Sequence, residues 1–168
     1  MDRSQPPTRW HPTNPGILKL NVDAAINAEA DYIGVGAIIR DNAGMVVGAF
    51  TTRFRGRFSA FIAECISVRE GLKFAMEEGV MVNMIETDCL NVISAIHSRS
   101  SLGIESSIIE DIVVILSWLD NVSCSDIPRS GNEAAHSLAR FALFASCITM
   151  VWKNEIPECI FVLNDLPT

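Results

Sequence analysis

Three acidic residues stand where acidic residues are unusual. Asp23 lies inside the apolar run L-K-L-N-V-D-A-A, near its end. Glu64 falls in the first turns of a helix-patterned stretch, roughly 60° from the centre of its apolar stripe. Asp88 sits where M-I-E-T-D stops. Charged side chains seldom enter a core unless they are paired or bound to metal. Each has a plainer reading: Asp88 as a helix N-cap, Glu64 as a solvated helix residue, Asp23 on an edge strand. Together, three carboxylates from three separate elements can converge on one rim of a sheet. Carboxylates are hard oxygen ligands, suited to a divalent cation such as Mg²⁺ or Mn²⁺.

One basic cluster accompanies them. R-F-R-G-R places Arg53, Arg55 and Arg57 among Phe54 and Phe58, an interleaving suited to stacking on bases and pairing with phosphates. A strand end that alternates charged and core residues has the same pattern. The chain as a whole has a net charge of −7, which excludes a protein that holds nucleic acid by a broad basic surface. Any such binding rests on a local site or on a protein partner. Five cysteines (Cys65, Cys89, Cys124, Cys147 and Cys159) occur singly, without a C-x-x-C pair. Neither a zinc knuckle nor a disulfide framework is expected, and the cysteines read as small buried side chains in a reducing, intracellular setting. No apolar run reaches the ~18 residues of a membrane helix, and the N-terminus has no apolar stretch of the secretory kind.

The elements that must position the carboxylates follow from periodicity. Residues 1–15 hold four prolines and read as an N-terminal arm, with Trp10 packing onto the body. Strands are expected over 17–25, 33–40 and 45–53, the last two joined by the turn signal D-N-A-G. Residues 59–79 switch to helical period, with Phe61, Cys65, Val68, Leu72 and Ala75 on one stripe that ends at Gly79. A short strand over 82–87, helices over 88–98 and 104–119, a fifth strand over 122–127 and a helix over 132–144 complete the order β-β-β-α-β-α-α-β-α. That order predicts an α/β domain over 16–146, a mixed five-stranded sheet flanked by helices. Residues 147–168 are expected as a C-terminal appendage packed on the domain.

Five motifs occur in sequence: N-V-D-A-A, I-G-V-G-A-I-I-R, A-E-C-I-S-V-R-E-G-L, E-T-D-C-L-N-V-I and G-N-E-A-A-H-S-L-A-R, preceded by a tryptophan and P-G-I-L-K-L-N. This succession resembles the type 1 ribonuclease H family, and most of all its plant branch of reverse-transcriptase-like domains. The resemblance runs from about Trp10 to the C-terminus. It implies a ribonuclease H-like fold and a nuclease that hydrolyses the RNA strand of an RNA–DNA hybrid with two Mg²⁺ or Mn²⁺ ions. Asp23, Glu64 and Asp88 match the family's first three metal ligands, and Asp88 is the one expected to orient the attacking water.

The fourth ligand, an aspartate in the family, is matched by His136. That residue is expected as an imperfect ligand or an aid to product release, since imidazole is a poor Mg²⁺ ligand. Ala24 and Ala25 replace the family's Gly-Ser pair after the first aspartate. The loop I-P-R-S-G lacks the family's histidine, leaving Arg129 as a phosphate contact. Asn132 is expected at the nucleic acid, and with Glu133 it shapes the start of the last helix. The basic handle of some bacterial members is absent, and 104–119 carries Glu105, Glu110 and Asp111 instead. The alternative to the enzyme is an inactive module of the same fold, derived from a retroelement, that binds nucleic acid or protein.

Overall fold

The computed structural model describes residues 9–99, 103 and 105–161. Residues 1–8 of the expected arm, the expected helix start at Ile104, and 162–168 of the expected appendage lie outside these. The strands are β1 (Lys19–Asn27), β2 (Tyr32–Arg40), β3 (Val46–Arg55), β4 (Met84–Thr87), β5 (Ser123–Asp126) and β6 (Thr149–Lys153). The helices are α1 (Ala60–Glu77), α2 (Leu90–Ser98), α3 (Glu105–Trp118) and α4 (Glu133–Phe144). The sheet order is β5-β4-β1-β2-β3-β6. β1, β2, β3 and β6 pair antiparallel, while β4 and β5 run parallel to β1.

Six strands replace the expected five. Thr149–Lys153, placed by sequence in an appendage, is an antiparallel edge strand on β3. The five-residue segment T-M-V-W-K alternates exposed and half-buried positions, too short a period-two signal to stand out beside the apolar end of α4. Trp152 makes the alternation useful, because its ring meets Phe141 of α4 edge-on, with centroids 6.2 Å apart.

Helices α1 to α3 cover one face. Leu20, Val22, Ile33, Val35 and Ile85 of the sheet meet Cys65, Val68, Leu72, Val92, Ile109 and Ile112 there. The other face belongs to α4, whose Ala134, Ala135 and Leu138 lie on Ile38, Val46 and Ala49. Two glycines set how close α4 comes. A Cβ on Gly34 would overlap the backbone of Ala139, and one on Gly36 would overlap Ala135 and Ala139. Glycine on the strand and alanine on the helix therefore let two backbones approach, which is the use glycine has at such a crossing. The hairpin turn between β2 and β3 forms as the sequence predicts. Asp41 Oδ1 accepts from the N–H groups of Ala43 and Met45, both at 2.9 Å, and Gly44 takes φ +82°. Among the described residues, no helix is long and apolar enough to cross a membrane.

Candidate metal centre

The register of two parallel strands brings the first carboxylates together. Lys19 is level with Met84, Leu20 with Ile85 and Asn21 with Glu86, and two residues further Asp23 comes level with Asp88. β4 stops at Thr87 while β1 continues to Asn27. Beyond Asn21, then, the flank of β1 has no strand beside it among the described residues, and a notch opens at the carboxyl end of β4. In open α/β sheets such ends are where ligands bind. Asp88 is not an N-cap: α2 starts at Leu90 after Cys89. The Cys89 N–H is held instead by Thr87 Oγ1 at 3.2 Å, so the Asp88 carboxylate is left for the notch.

Glu64 reaches the same notch from α1. Ser59 caps that helix, its Oγ accepting from the Ile62 N–H at 3.2 Å. Gly71 lets the helix lie close on β1, since a Cβ there would stand 2.5 Å from Val22 Cγ1. The result is one carboxylate oxygen from each of Asp23, Glu64 and Asp88 within 4.8 Å of the others.

Such proximity has an electrostatic consequence. Burial pushes the Glu64 carboxyl up to about 9, with the charges of Asp23 and Asp88 adding to it and the Ala24 N–H partly offsetting it. Burial likewise raises Asp23, helped by Asp88 and opposed by His136 and the Ala24 N–H. Like charges in a shared desolvated site cannot all ionise unless a cation joins them. The spacing fits one. Oxygens on opposite sides of an octahedral Mg²⁺ stand about 4.1 Å apart, and those around the larger Ca²⁺ about 4.6–5.2 Å. A side-chain adjustment would let the three carboxylates close on a divalent ion, and an all-oxygen anionic donor set is what Mg²⁺ and Mn²⁺ take.

His136 is adjacent to this set but not within it. Its Nδ1 lies 2.7 Å from Asp23 Oδ2, and a guanidinium nitrogen of Arg129 is 2.9 Å from both ring nitrogens. A neutral ring satisfies both neighbours, with Nδ1–H donating to Asp23 and Nε2 accepting from Arg129. His136 thus orients Asp23 from outside the three-oxygen cluster.

A family model described as reverse transcriptase-like matches residues 21–142, a span that contains all three carboxylates and His136. The chain belongs to the reverse transcriptase-like family. Among solved structures, RNase H1 from the halophilic archaeon Halobacterium salinarum NRC-1 superposes with TM-score 0.68 at 22% identity, covering 76% of this chain and 98% of the other. The N-terminal RNase H domain of a Mycobacterium tuberculosis protein gives 0.65 at 18% identity, covering 75% and 92%. LC11-RNase H1, solved in complex with an RNA/DNA hybrid, gives 0.65 at 16% identity, covering 73% and 94%. The fold of this reverse transcriptase-like chain is therefore RNase H-like. No curated protein sequence matches it.

Two expected contacts are placed differently in this family member. Asn132 is fully buried, and its Nδ2 donates to Val22 O at 2.9 Å. It ties the peptide ahead of Asp23 to the start of α4 and cannot face nucleic acid. The three arginines differ in their partners. Arg53 donates to Ala145 O at 3.0 Å and lies 5.3 Å from the centre of the Tyr32 ring. Arg57 pairs with Asp31 at 2.7 Å, and Arg55 is exposed.

Sequence reasoning missed a buried polar group on the same strand. Lys19 Nζ is 2.9 Å from Glu86 Oε1, Asn21 Nδ2 donates to Glu86 Oε2 at 2.9 Å, and Arg40 donates to Asn21 Oδ1 at 3.1 Å. Trp10 covers both cations, its ring centre 5.2 Å from Lys19 Nζ and 4.4 Å from the Arg40 guanidinium. The signal available was Lys19, Asn21 and Asp23 at period two in an otherwise apolar strand.

Proposed function

We propose that the chain is a metal-dependent endonuclease acting on the RNA strand of RNA–DNA hybrids. The observation that carries this reading is the convergence of Asp23, Glu64 and Asp88 within 4.8 Å in an RNase H-like fold. The complex of LC11-RNase H1 with an RNA/DNA hybrid supports the substrate class. Two divalent ions held by these carboxylates would activate a water and stabilise the leaving oxygen of an in-line displacement.

The chain's own residues supply position and charge. Asp23 and Glu64, brought together by β1 and α1, give up a shared proton to hold a cation. Asp88, half-buried at the mouth of the notch, orients the attacking water. His136 fixes the Asp23 carboxylate, and Arg129 beside it is within reach of a phosphate. A second reading has its own support. His136 in the family's fourth ligand position brings no negative charge and is already bonded to Asp23 and Arg129, as suits a non-catalytic hybrid-binding module.

A gel assay separates the two, using hybrid with wild type, His136→Asp and Asp88→Asn in Mg²⁺, in Mn²⁺ and in EDTA. For the enzyme, wild type cleaves, His136→Asp gains most in Mg²⁺, and Asp88→Asn loses both activities. Absence of cleavage by wild type and His136→Asp in both metals establishes the module. Cleavage that survives Asp88→Asn removes the site from the reaction.

A further inference from the structure

β6 is the outermost strand on its side of the sheet, and its register fixes which of its backbone groups are spare. The Arg53 N–H donates to Ile148 O at 3.2 Å, and the Asn154 N–H donates to Val47 O at 3.1 Å. Antiparallel ladders alternate, so positions 148, 150, 152 and 154 bond inward to β3. Thr149, Val151 and Lys153 therefore turn their N–H and C=O groups outward, where no described strand meets them. Such an edge is a template for another strand.

We infer that the edge of β6 pairs antiparallel with β6 of a second copy of this chain, about a two-fold axis at Val151. That arrangement is self-complementary. Val151 faces Val151 of the other copy as a hydrogen-bonded pair, and Thr149 faces Lys153 on either side, so every spare donor and acceptor of the strand finds a partner. Local charge does not oppose it. The chain carries a net −7, yet β6 contains no acid, and the two Lys153 side chains fall at opposite ends of the pairing. Lys153 is in any case neutralised within its own chain by Glu78 at 2.6 Å. A strand pair alone buries less than the roughly 800 Å² per partner of a stable interface. Apolar surface beside it makes up part of the difference. Val151 is 42% exposed, and Phe144 (75%), Ile148 (63%) and Phe161 (62%) flank the strand along the chain. The expected dimer is reversible and concentration-dependent. β1 lies three strands in from β6, so both carboxylate notches stay open.

Sedimentation velocity on the full chain across the micromolar range tests this, beside Val151→Pro and Val151→Lys. The proline removes only an outward N–H and leaves the ladder to β3 intact. The lysine puts two like charges at the axis. Wild type is expected to move from monomer to dimer as concentration rises, and each variant to raise the dissociation constant by about tenfold or more. Should circular dichroism show that Val151→Pro disturbs the fold, Val151→Lys alone decides. A wild type that remains monomeric throughout overturns the proposal, as does a folded variant that dimerises like wild type.

Discussion

β1 carries two buried polar sites on one side, two residues apart, and they are balanced in opposite ways. At Lys19 and Asn21, the buried carboxylate has fixed partners: Lys19 meets Glu86, Asn21 bridges Glu86 and Arg40, and Trp10 closes over both cations. At Asp23 the fold does the reverse. It collects two more carboxylates, and the partners it sets against them among the described residues are an imidazole, a distant serine hydroxyl and one backbone N–H, none of them a fixed cation. The first site shows that this sheet can neutralise a buried carboxylate with its own residues. The second is therefore not a failure of packing. It has the composition of a site that takes its positive charge from elsewhere, and that difference supports the proposed metal.

The largest effect should come from unbalancing the balanced site. Lys19→Met leaves Glu86 buried with its cation gone, and removal of one member of a buried pair costs about 3–5 kcal/mol. Replacing both, as Lys19→Met with Glu86→Leu, should recover most of the loss, because well-packed apolar residues serve about as well as a buried pair. Urea denaturation of the three variants measures this. If Lys19→Met unfolds at the wild-type midpoint, the two sites are not different in kind and the contrast fails.

The unbalanced site should respond to pH in a definite direction. Glu64 has a folded-state value of about 9 against 4.5 for the free group. Between those limits the folded chain holds a proton that the unfolded chain has released. Its stabilising contribution is thus complete below pH 4.5 and is lost as pH rises through about 9, and raised Asp23 adds in the same sense. Mn²⁺ replaces the proton, so the metal should raise the melting temperature, and by more at pH 8 than at about pH 6. Glu64→Gln should flatten the apo pH slope and shrink the Mn²⁺ shift. Thermal melts of both proteins with and without Mn²⁺ provide the check, and an equal Mn²⁺ shift in both removes Glu64 from the site.

How much of this was legible in the sequence depends on whether a feature is local. Asp23, Glu64 and Asp88 could be singled out because each breaks the pattern of its own segment, a carboxylate in an apolar strand or beside an apolar stripe. The helices were legible for the same reason: of the stripe on α1, Cys65, Val68, Leu72 and Ala75 are buried as the periodicity requires, and Phe61 is half-buried. Three features were not legible because they are relations between distant segments. Gly34 and Gly36 make sense only once Ala135 and Ala139 are seen above them. Asn132 looked available for a ligand, and only the fold shows Val22 O taking its amide. The role of Glu86 is the third such feature, because its partners Lys19 and Asn21 lie on β1. The sixth strand belongs with these: its pairing with β3 spans nearly a hundred residues of sequence.

A smaller effect sharpens the contrast at the surface, where R-F-R-G-R repeats it in miniature. Arg53 is held by Ala145 O and Tyr32, and Arg57 is paired at the exposed surface with Asp31. Arg55 is exposed at the end of β3. If the chain binds hybrid as proposed, a phosphate contact should come from Arg55 more than from its neighbours. Each phosphate neutralised contributes about 0.9 to the slope of log affinity against log salt. Arg55→Ala should therefore flatten the slope by up to that amount without changing the melting temperature. Arg53→Ala should lower the melting temperature, having left Ala145 O without its donor, and change the slope little. Fluorescence anisotropy with labelled hybrid over a salt series reads the slopes. A larger slope change for Arg53→Ala than for Arg55→Ala would mean that Arg53 leaves its structural contacts to bind, and the division between engaged and available cations would not hold on this strand.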